Sequence, residues 1–365
     1  MLNRSLARFV ILALAFTAFG LAGAHAQTHF PKLKSQNSGT TEGLIAVSPV
    51  NAKVVWAVGR HGTFLVTTDG GATWRSGQVK DAKWLQLRDV QGVSANVAYV
   101  QSIGNEPGNF RIYKTEDGGA TWTKQFKNDL AGAFYDCFAF WTPTRGISHS
   151  DSVNGVFPDI RSEDGTTWQS IENNMPAALP GEFSFAASGT CVATQGENNA
   201  WIATGGAPVA RILATTDGAD TWNAYDTPLV SSASAGAFTV DFRDAANGIV
   251  GGGDLDASDP DNARTASSND GGQTWTLTTA PPVTGAIFGL SYVRQIGGCG
   301  THGKCSDFTR YVVVTANSGG AAWTPDEGTT WYVLPGVTGC WAVAFATPAA
   351  GWLVGTNGQI IKISF

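Results

Sequence analysis

The sequence predicts an all-β protein: a seven-bladed β-propeller of four-stranded antiparallel blades, closed by the N-terminal strand. Three observations predict it. A turn motif ending in Trp recurs six times, at spacings of 46 to 56 residues. Short apolar runs ending in Gly precede it in most units. The 365-residue chain holds 45 Gly and 13 Trp but is only 14% charged, which suits short strands and tight turns, not long helices or disorder.

The first 26 residues stand apart. Arg4 and Arg8 make a basic start, Phe9 to Ala22 an apolar stretch, and Ala24-His25-Ala26 a small-residue cleavage site. This is the pattern of a signal peptide, too short and wrongly flanked for a membrane span. The expectation is a signal peptide at 1–26 and one propeller domain at 27–365. Export to the periplasm or the medium follows, with no membrane insertion after cleavage. Arg4 and Arg8 are the only charged residues in the leader, so its loss takes the net charge from −6 to −8. Lys and Arg are scattered, and a phosphate backbone needs clustered cations, so nucleic acid is excluded as a partner.

The motif is TTDGGATW at 67–74, TEDGGATW at 115–122, SEDGTTW at 162–168, TTDGADTW at 215–222, SNDGGQTW at 268–275 and TPDEGTTW at 324–331. Ser or Thr with Asp two residues later is turn chemistry, because both side chains accept hydrogen bonds from nearby backbone N–H groups. Gly supplies the positive φ of a tight hairpin. Trp74, Trp122, Trp168, Trp222, Trp275 and Trp331 then open the next strand and bury a large face between sheets. Asp69, Asp117, Asp164, Asp217, Asp270 and Asp326 are accordingly structural. A single active site needs one set of groups, whereas repeated corners need one Asp each.

Upstream of the boxes, runs such as VVWAVG, AWIATGG and GWLVG read as strands followed by turns, and further apolar runs precede them. Each unit is therefore strand, strand, strand, box, strand. The units begin near Gly43, Leu85, Phe134, Phe183, Phe238, Phe288 and Cys340, which makes seven. The seventh ends at Phe365 without a box. Its missing outer strand comes from the region Phe30 to Gln36, which closes the ring and hides an edge.

The five cysteines are an odd number. Cys299 and Cys305 bracket GTHGK and form the nearest pair. Cys137 and Cys191 either bridge neighbouring elements, leaving Cys340 free, or stand with it as buried thiols. Two Cys and one His in CGTHGKC fall short of a zinc set.

The six boxes resemble Asp-box (bacterial neuraminidase, BNR) repeats, [ST]-x-D-x-G-x-T-W, over nearly the whole of 27–365. Within that group the single ring of short blades and the phrase G-W-x-V-G look most like the photosystem II stability and assembly factor family and its non-photosynthetic bacterial relatives. The resemblance implies a propeller that binds partner proteins. It also implies the sialidase and xyloglucan-hydrolase alternatives that share the box. Sialidase chemistry needs an arginine triad, and here Arg88 lies near the start of its inner strand while Arg243 and Arg294 lie near the ends of theirs. Phe110-Arg111-Ile112-Tyr113 approximates the sialidase F-R-I-P motif but sits in a third strand. No dinucleotide, haem or His-rich metal motif is present, so no cofactor is expected.

Candidate site residues follow from position. Asp89, Asp136 and Glu182 lie near the starts of neighbouring blades and form a candidate carboxylate set at one mouth of the channel. Arg88 and Tyr135 accompany them as candidate ligand- or partner-binding residues. Asp254, Asp256, Asp259 and Asp261 form a weak Ca²⁺ candidate that lacks the Gly and Glu of a calcium loop. The chain thus reads as an exported, monomeric, non-catalytic scaffold that binds an envelope protein complex or a glycan. The alternatives are a sialidase- or xyloglucanase-like glycoside hydrolase at the channel mouth and a carbohydrate-binding propeller.

Overall fold

Every box folds into a hairpin corner, and the corners set the architecture of the computed structural model, which describes residues 30–256, 263–293 and 310–365. In the first, Thr67 Oγ1 donates to Asp69 Oδ1 at 2.8 Å and accepts from Gly71 N at 2.9 Å. The Asp69 carboxylate receives Thr73 N at 2.9 Å and Thr73 Oγ1 at 2.6 Å. The same pattern recurs at Asp117, Asp217 and Asp270. The shortened third box keeps only part of it, with Thr166 N and Thr167 N donating to Asp164. Gly70 and Gly71 hold φ of 75° and 84°; Ala219 and Glu327 take the equivalent positions in later boxes at 75° and 55°.

The corners join seven four-stranded antiparallel sheets. The inner strands are Leu44–Pro49, Gln86–Gly92, Tyr135–Phe140, Val192–Gln195, Ala235–Phe242, Gly289–Tyr292 and Cys340–Thr347. Each packs against the inner strand of the next blade, and blade 7 against blade 1. Seven buried apolar clusters fill the seven junctions between blades. The box Trp rings belong to these junctions: Trp122 of blade 2 meets Phe64 of blade 1 edge-on at 5.2 Å. Helix is limited to three short 3₁₀ turns among the described residues, and no helix there is long and apolar enough to cross a membrane.

Blade 4 departs from expectation. Its inner strand is Val192–Gln195, not a strand from Phe183. Phe183 makes only an isolated bridge to Gly205. The alternating segment around Phe183 and Phe185 instead packs its rings toward the ring axis, so an apolar alternation there marks a cavity wall.

The ring closes through its first strand. Lys32–Gln36 pairs antiparallel with Ile360–Ser364 as the outer strand of blade 7. Gln36 then clasps blade 1. Its Oε1 accepts Trp74 Nε1 at 3.1 Å and Trp352 Nε1 at 3.2 Å, and its Nε2 donates to Gly70 O at 3.1 Å. Trp74 opens the last strand of blade 1, whereas Trp352 belongs to blade 7.

Two outcomes are expected. Removal of residues up to Gln36 should lower Tm by roughly 5 °C or more and promote self-association through the bared Ile360–Ser364 edge, read by scanning calorimetry and light scattering. An unchanged Tm would contradict the closure. The corners should also be acid-labile. The side-chain hydrogen bond from Thr73, with its backbone N–H, holds Asp69 at about 2, and Thr121 does the same for Asp117. Between about pH 2 and 4 the unfolded chain binds more protons than the native one. The contribution is therefore full above about pH 5 and lost as pH falls toward 2. Asp69→Asn with Asp117→Asn should flatten that slope in denaturant titrations.

Candidate functional site

Single extra residues in the inner strands build the site. The register slips once at Ile45, Arg88, Asp136, Phe238 and Trp341, each a β-bulge in its blade. A bulge turns one side chain out of the alternation. Arg88, Asp136, Phe238 and Trp341 all reach the wall of one axial cavity of about 610 Å³. Phe183, Phe185 and Phe288 supply the rest of an apolar arc. Successive ring centroids lie 4.9 Å (Phe183–Phe185), 3.8 Å (Phe185–Phe238), 6.2 Å (Phe238–Phe288) and 5.1 Å (Phe288–Trp341) apart. The Arg88 guanidinium stands 5.3 Å from the Trp341 ring and ends the arc. Asp136 and Asp151 complete the circle. One side of the cavity is aromatic and the other carries charge.

The cavity opens on the face opposite the boxes. Boxes join third to fourth strands, whereas Asn105, Phe134, Asp151 and Leu255 lie in loops at the other ends of the strands.

The charged side is unusual. Asp136 is fully buried, and apart from the adjoining Asp151 carboxyl no described residue gives its oxygens a hydrogen bond. Burial pushes its pKa well above the usual carboxylate range, and the adjoining Asp151 carboxyl adds to this. Asp151 is itself raised to about 6, by burial first, while Ser184 N donates to its Oδ1 at 2.9 Å. The two carboxyls lie close enough to share one proton. Burial lowers Arg88 to about 10, and its Nε is enclosed without an acceptor.

The other sequence candidates go elsewhere. Asp89 was expected at the same mouth, but it neighbours Arg88 and turns the opposite way, between blades. It accepts Val90 N at 2.7 Å and Phe138 N at 2.8 Å, tying blade 2 to blade 3. Gly189, at φ 74°, leaves room for it: a Cβ there would stand 2.5 Å from Asp89 Oδ1. Asp241 repeats the device between blades 5 and 6, accepting Phe242 N and Tyr292 N. Glu182 is not part of the carboxylate set either. It is buried against Arg211 Nε at 2.9 Å and Nη2, Thr204 Oγ1 at 2.7 Å and Leu179 N at 2.7 Å, which fills its acceptor sites. Tyr135 packs on Phe110 at 4.0 Å and donates to Pro158 O at 2.7 Å, so it is a core residue and not a ligand contact. Cys137 and Cys191 form a disulfide that staples blade 3 to the start of blade 4, and Cys340 is free and buried. Asp254 accepts Ser234 Oγ and Asp256 N. Asp259, Asp261, Cys299, Cys305, Arg294 and the leader lie outside the described residues. No group of three metal-ligating side chains occurs among the described residues.

Residues missed from the sequence include a buried Ser–His–Asp constellation. His149 Nδ1 lies 2.9 Å from Asp159 Oδ2, and His149 Nε2 lies 2.9 Å from Ser184 Oγ. Ser184 Oγ donates to Ala203 O at 2.7 Å, so its one proton is used on the backbone. That hydrogen bond and its burial make it a tie between blades 3 and 4 instead of a nucleophile.

The fold is a closed seven-bladed β-propeller with an axial cavity open on one face. No protein-family model matches the chain, and no curated protein matches it. Among solved structures, one described as YCF48 bound to D1 peptide superposes with a TM-score of 0.63 at 15% identity, covering 92% of this chain and 97% of that one. YCF48 from Cyanidioschyzon merolae gives a TM-score of 0.61 at 16% identity, with 91% and 98% covered. At such identity the likeness is one of fold.

Asp89→Ala should orphan two buried N–H groups and cost about 2–4 kcal/mol in denaturant unfolding. A loss under about 0.5 kcal/mol would show that the carboxylate is not an inter-blade tie.

Proposed function

We propose that this protein is an exported, monomeric, non-catalytic scaffold that binds a partner protein on the cavity face, in the manner of an assembly or stability factor for an envelope complex. One observation carries the reading. Of the seven large apolar side chains that remain exposed among the described residues, four, Trp84, Leu130, Val156 and Leu255, lie in loops of that face, while Leu277 and Val333 lie in outer strands and Phe30 precedes the first strand. Trp84 is 65% exposed, with Arg111 5.5 Å above its ring. Exposed aromatic and Arg side chains are favoured anchors at protein interfaces.

Other features support it. A structurally similar propeller is described as bound to a peptide. The six boxes fit the Asp-box resemblance and its assembly-factor branch. The Cys137–Cys191 disulfide and the Ala24-His25-Ala26 site suit an oxidising compartment outside the cytoplasm. The hydrolase alternative is disfavoured by the carboxyls themselves. Asp89 and Glu182 are fully engaged, and Asp136 and Asp151 adjoin one another without the gap that flanks a glycosidic bond.

The test is affinity capture from an envelope extract with the mature protein and with the double variant Trp84→Ser, Leu255→Ser. A protein retained by the wild type and lost from the folded variant is expected. Equal capture by both, or no specific capture, would overturn the reading. A broad glycan panel should show no turnover.

A further inference from the structure

We propose that the axial cavity binds a free α-amino acid with a large apolar side chain: its carboxylate on Arg88, its ammonium on Asp136 and Asp151, and its side chain along the aromatic arc. This goes beyond the partner reading, because it uses the cavity wall and not the exposed rim of the face.

Three independent features of the wall converge on that chemistry. The first is a guanidinium without a contact ion pair. Asp136 lies near enough to act on its charge, but among the described residues no carboxylate pairs with Arg88 directly, and its Nε is buried without an acceptor. A guanidinium so placed presents a planar fork of donors, which matches a carboxylate. The second is a buried acid pair with no donor from outside it. Asp136 is fully buried, and apart from the adjoining Asp151 carboxyl no described residue gives its oxygens a hydrogen bond, although almost every buried polar group in a native fold has its partners. An ammonium supplies up to three donors and serves two adjacent carboxyls at once. The third is shape. Phe183, Phe185, Phe238, Phe288 and Trp341 form a continuous aromatic wall facing the charged side, in a volume of about 610 Å³, within the range of small-molecule sites.

Charge balance selects the zwitterion. Arg88 contributes one positive charge. Asp136 and Asp151 adjoin on the other side of the cavity, where burial and their mutual repulsion favour the pair holding a proton over carrying two charges. A simple carboxylic acid would satisfy Arg88 but leave Asp136 orphaned beside a new anion. A simple amine would satisfy the acid pair but leave Arg88 beside a new cation. An amino acid answers both with no net charge. Four of the five bulges supply a wall residue; the fifth, at Ile45 in blade 1, does not. Regular alternation would send Arg88, Asp136, Phe238 and Trp341 into the blade junctions or away from the axis.

The experiment is isothermal titration calorimetry of the mature protein with four probes: L-phenylalanine, 3-phenylpropionate, 2-phenylethylamine and glycine. L-phenylalanine should bind, and each of the other three should bind about tenfold or more weakly, since each lacks one of the three recognised groups. Asp136→Asn, which keeps the shape, should weaken phenylalanine by about tenfold and leave 3-phenylpropionate unchanged or improved. Arg88→Lys, which keeps the charge but loses the fork, should weaken both carboxylate probes, with Tm measured alongside to confirm folding. Several results would overturn the proposal: no heat with phenylalanine at about 10 mM, affinity for 3-phenylpropionate or phenylethylamine equal to that for phenylalanine, or undiminished binding by a folded Asp136→Asn. None of these bears on partner capture by Trp84, which does not line the cavity, so the two proposals fail separately.

Discussion

The ring depends on one strand from the wrong end of the chain. A row of seven twisted sheets has two free edges, and each is a template for aggregation. Lys32–Gln36 removes the problem by completing blade 7 from the N-terminal side. Gln36 adds the second half of the closure. One side-chain amide accepts indole N–H groups from blade 1 and blade 7 and donates to the Gly70 carbonyl of the first corner. Lys362 reaches the same carbonyl at 3.1 Å. The seam is thus polar and specific at its rim and apolar beneath, where Leu44, Ala342, Trp352 and Ile360 pack together.

The same design recurs at other junctions with different residues. Arg75 of blade 1 donates to Gly118 O in the corner of blade 2. Arg145 and Arg161 of blade 3 donate to Gly218 O of blade 4 at 3.1 and 2.7 Å. Trp201 of blade 4 donates to Gly271 O of blade 5 at 2.8 Å. A corner satisfies its own N–H groups internally through Thr and Asp, and the carbonyl left over is capped by the neighbouring blade. That division explains why the box is conserved within the chain while its capping residue is not. It also places the corner Asp residues far from the cavity, on the opposite face.

Much of this was legible in the sequence because corner chemistry is local. Thr67, Asp69, Gly71 and Thr73 lie within seven residues, so their hydrogen bonds follow from spacing alone. The closing strand was legible from a deficit: blade 7 had three strands and no box. The site was less legible. Arg88-Asp89 and Tyr135-Asp136 were read as pairs facing one mouth, but neighbours on a strand face opposite sides. Only a bulge decides which of the two reaches the axis, and a one-residue bulge leaves no pattern in composition or periodicity. Glu182 was misread because its partner Arg211 lies 29 residues away in sequence. Phe183 was misread because a cavity wall built from alternating Phe mimics the inner strand that begins at Val192.

The axial site inherits its rigidity from the ring. Arg88, Asp136, Phe238 and Trp341 come from four blades, so their mutual placement holds only while the circle is closed. Native-state hydrogen exchange tests this most directly. If closure supports the whole ring, the paired amides of Lys32–Gln36 should exchange only by global opening, with the same free energy as those of Ile360–Ser364 and of the inner strands. Exchange of the first strand at a much lower free energy, with the inner strands still protected, would contradict the account.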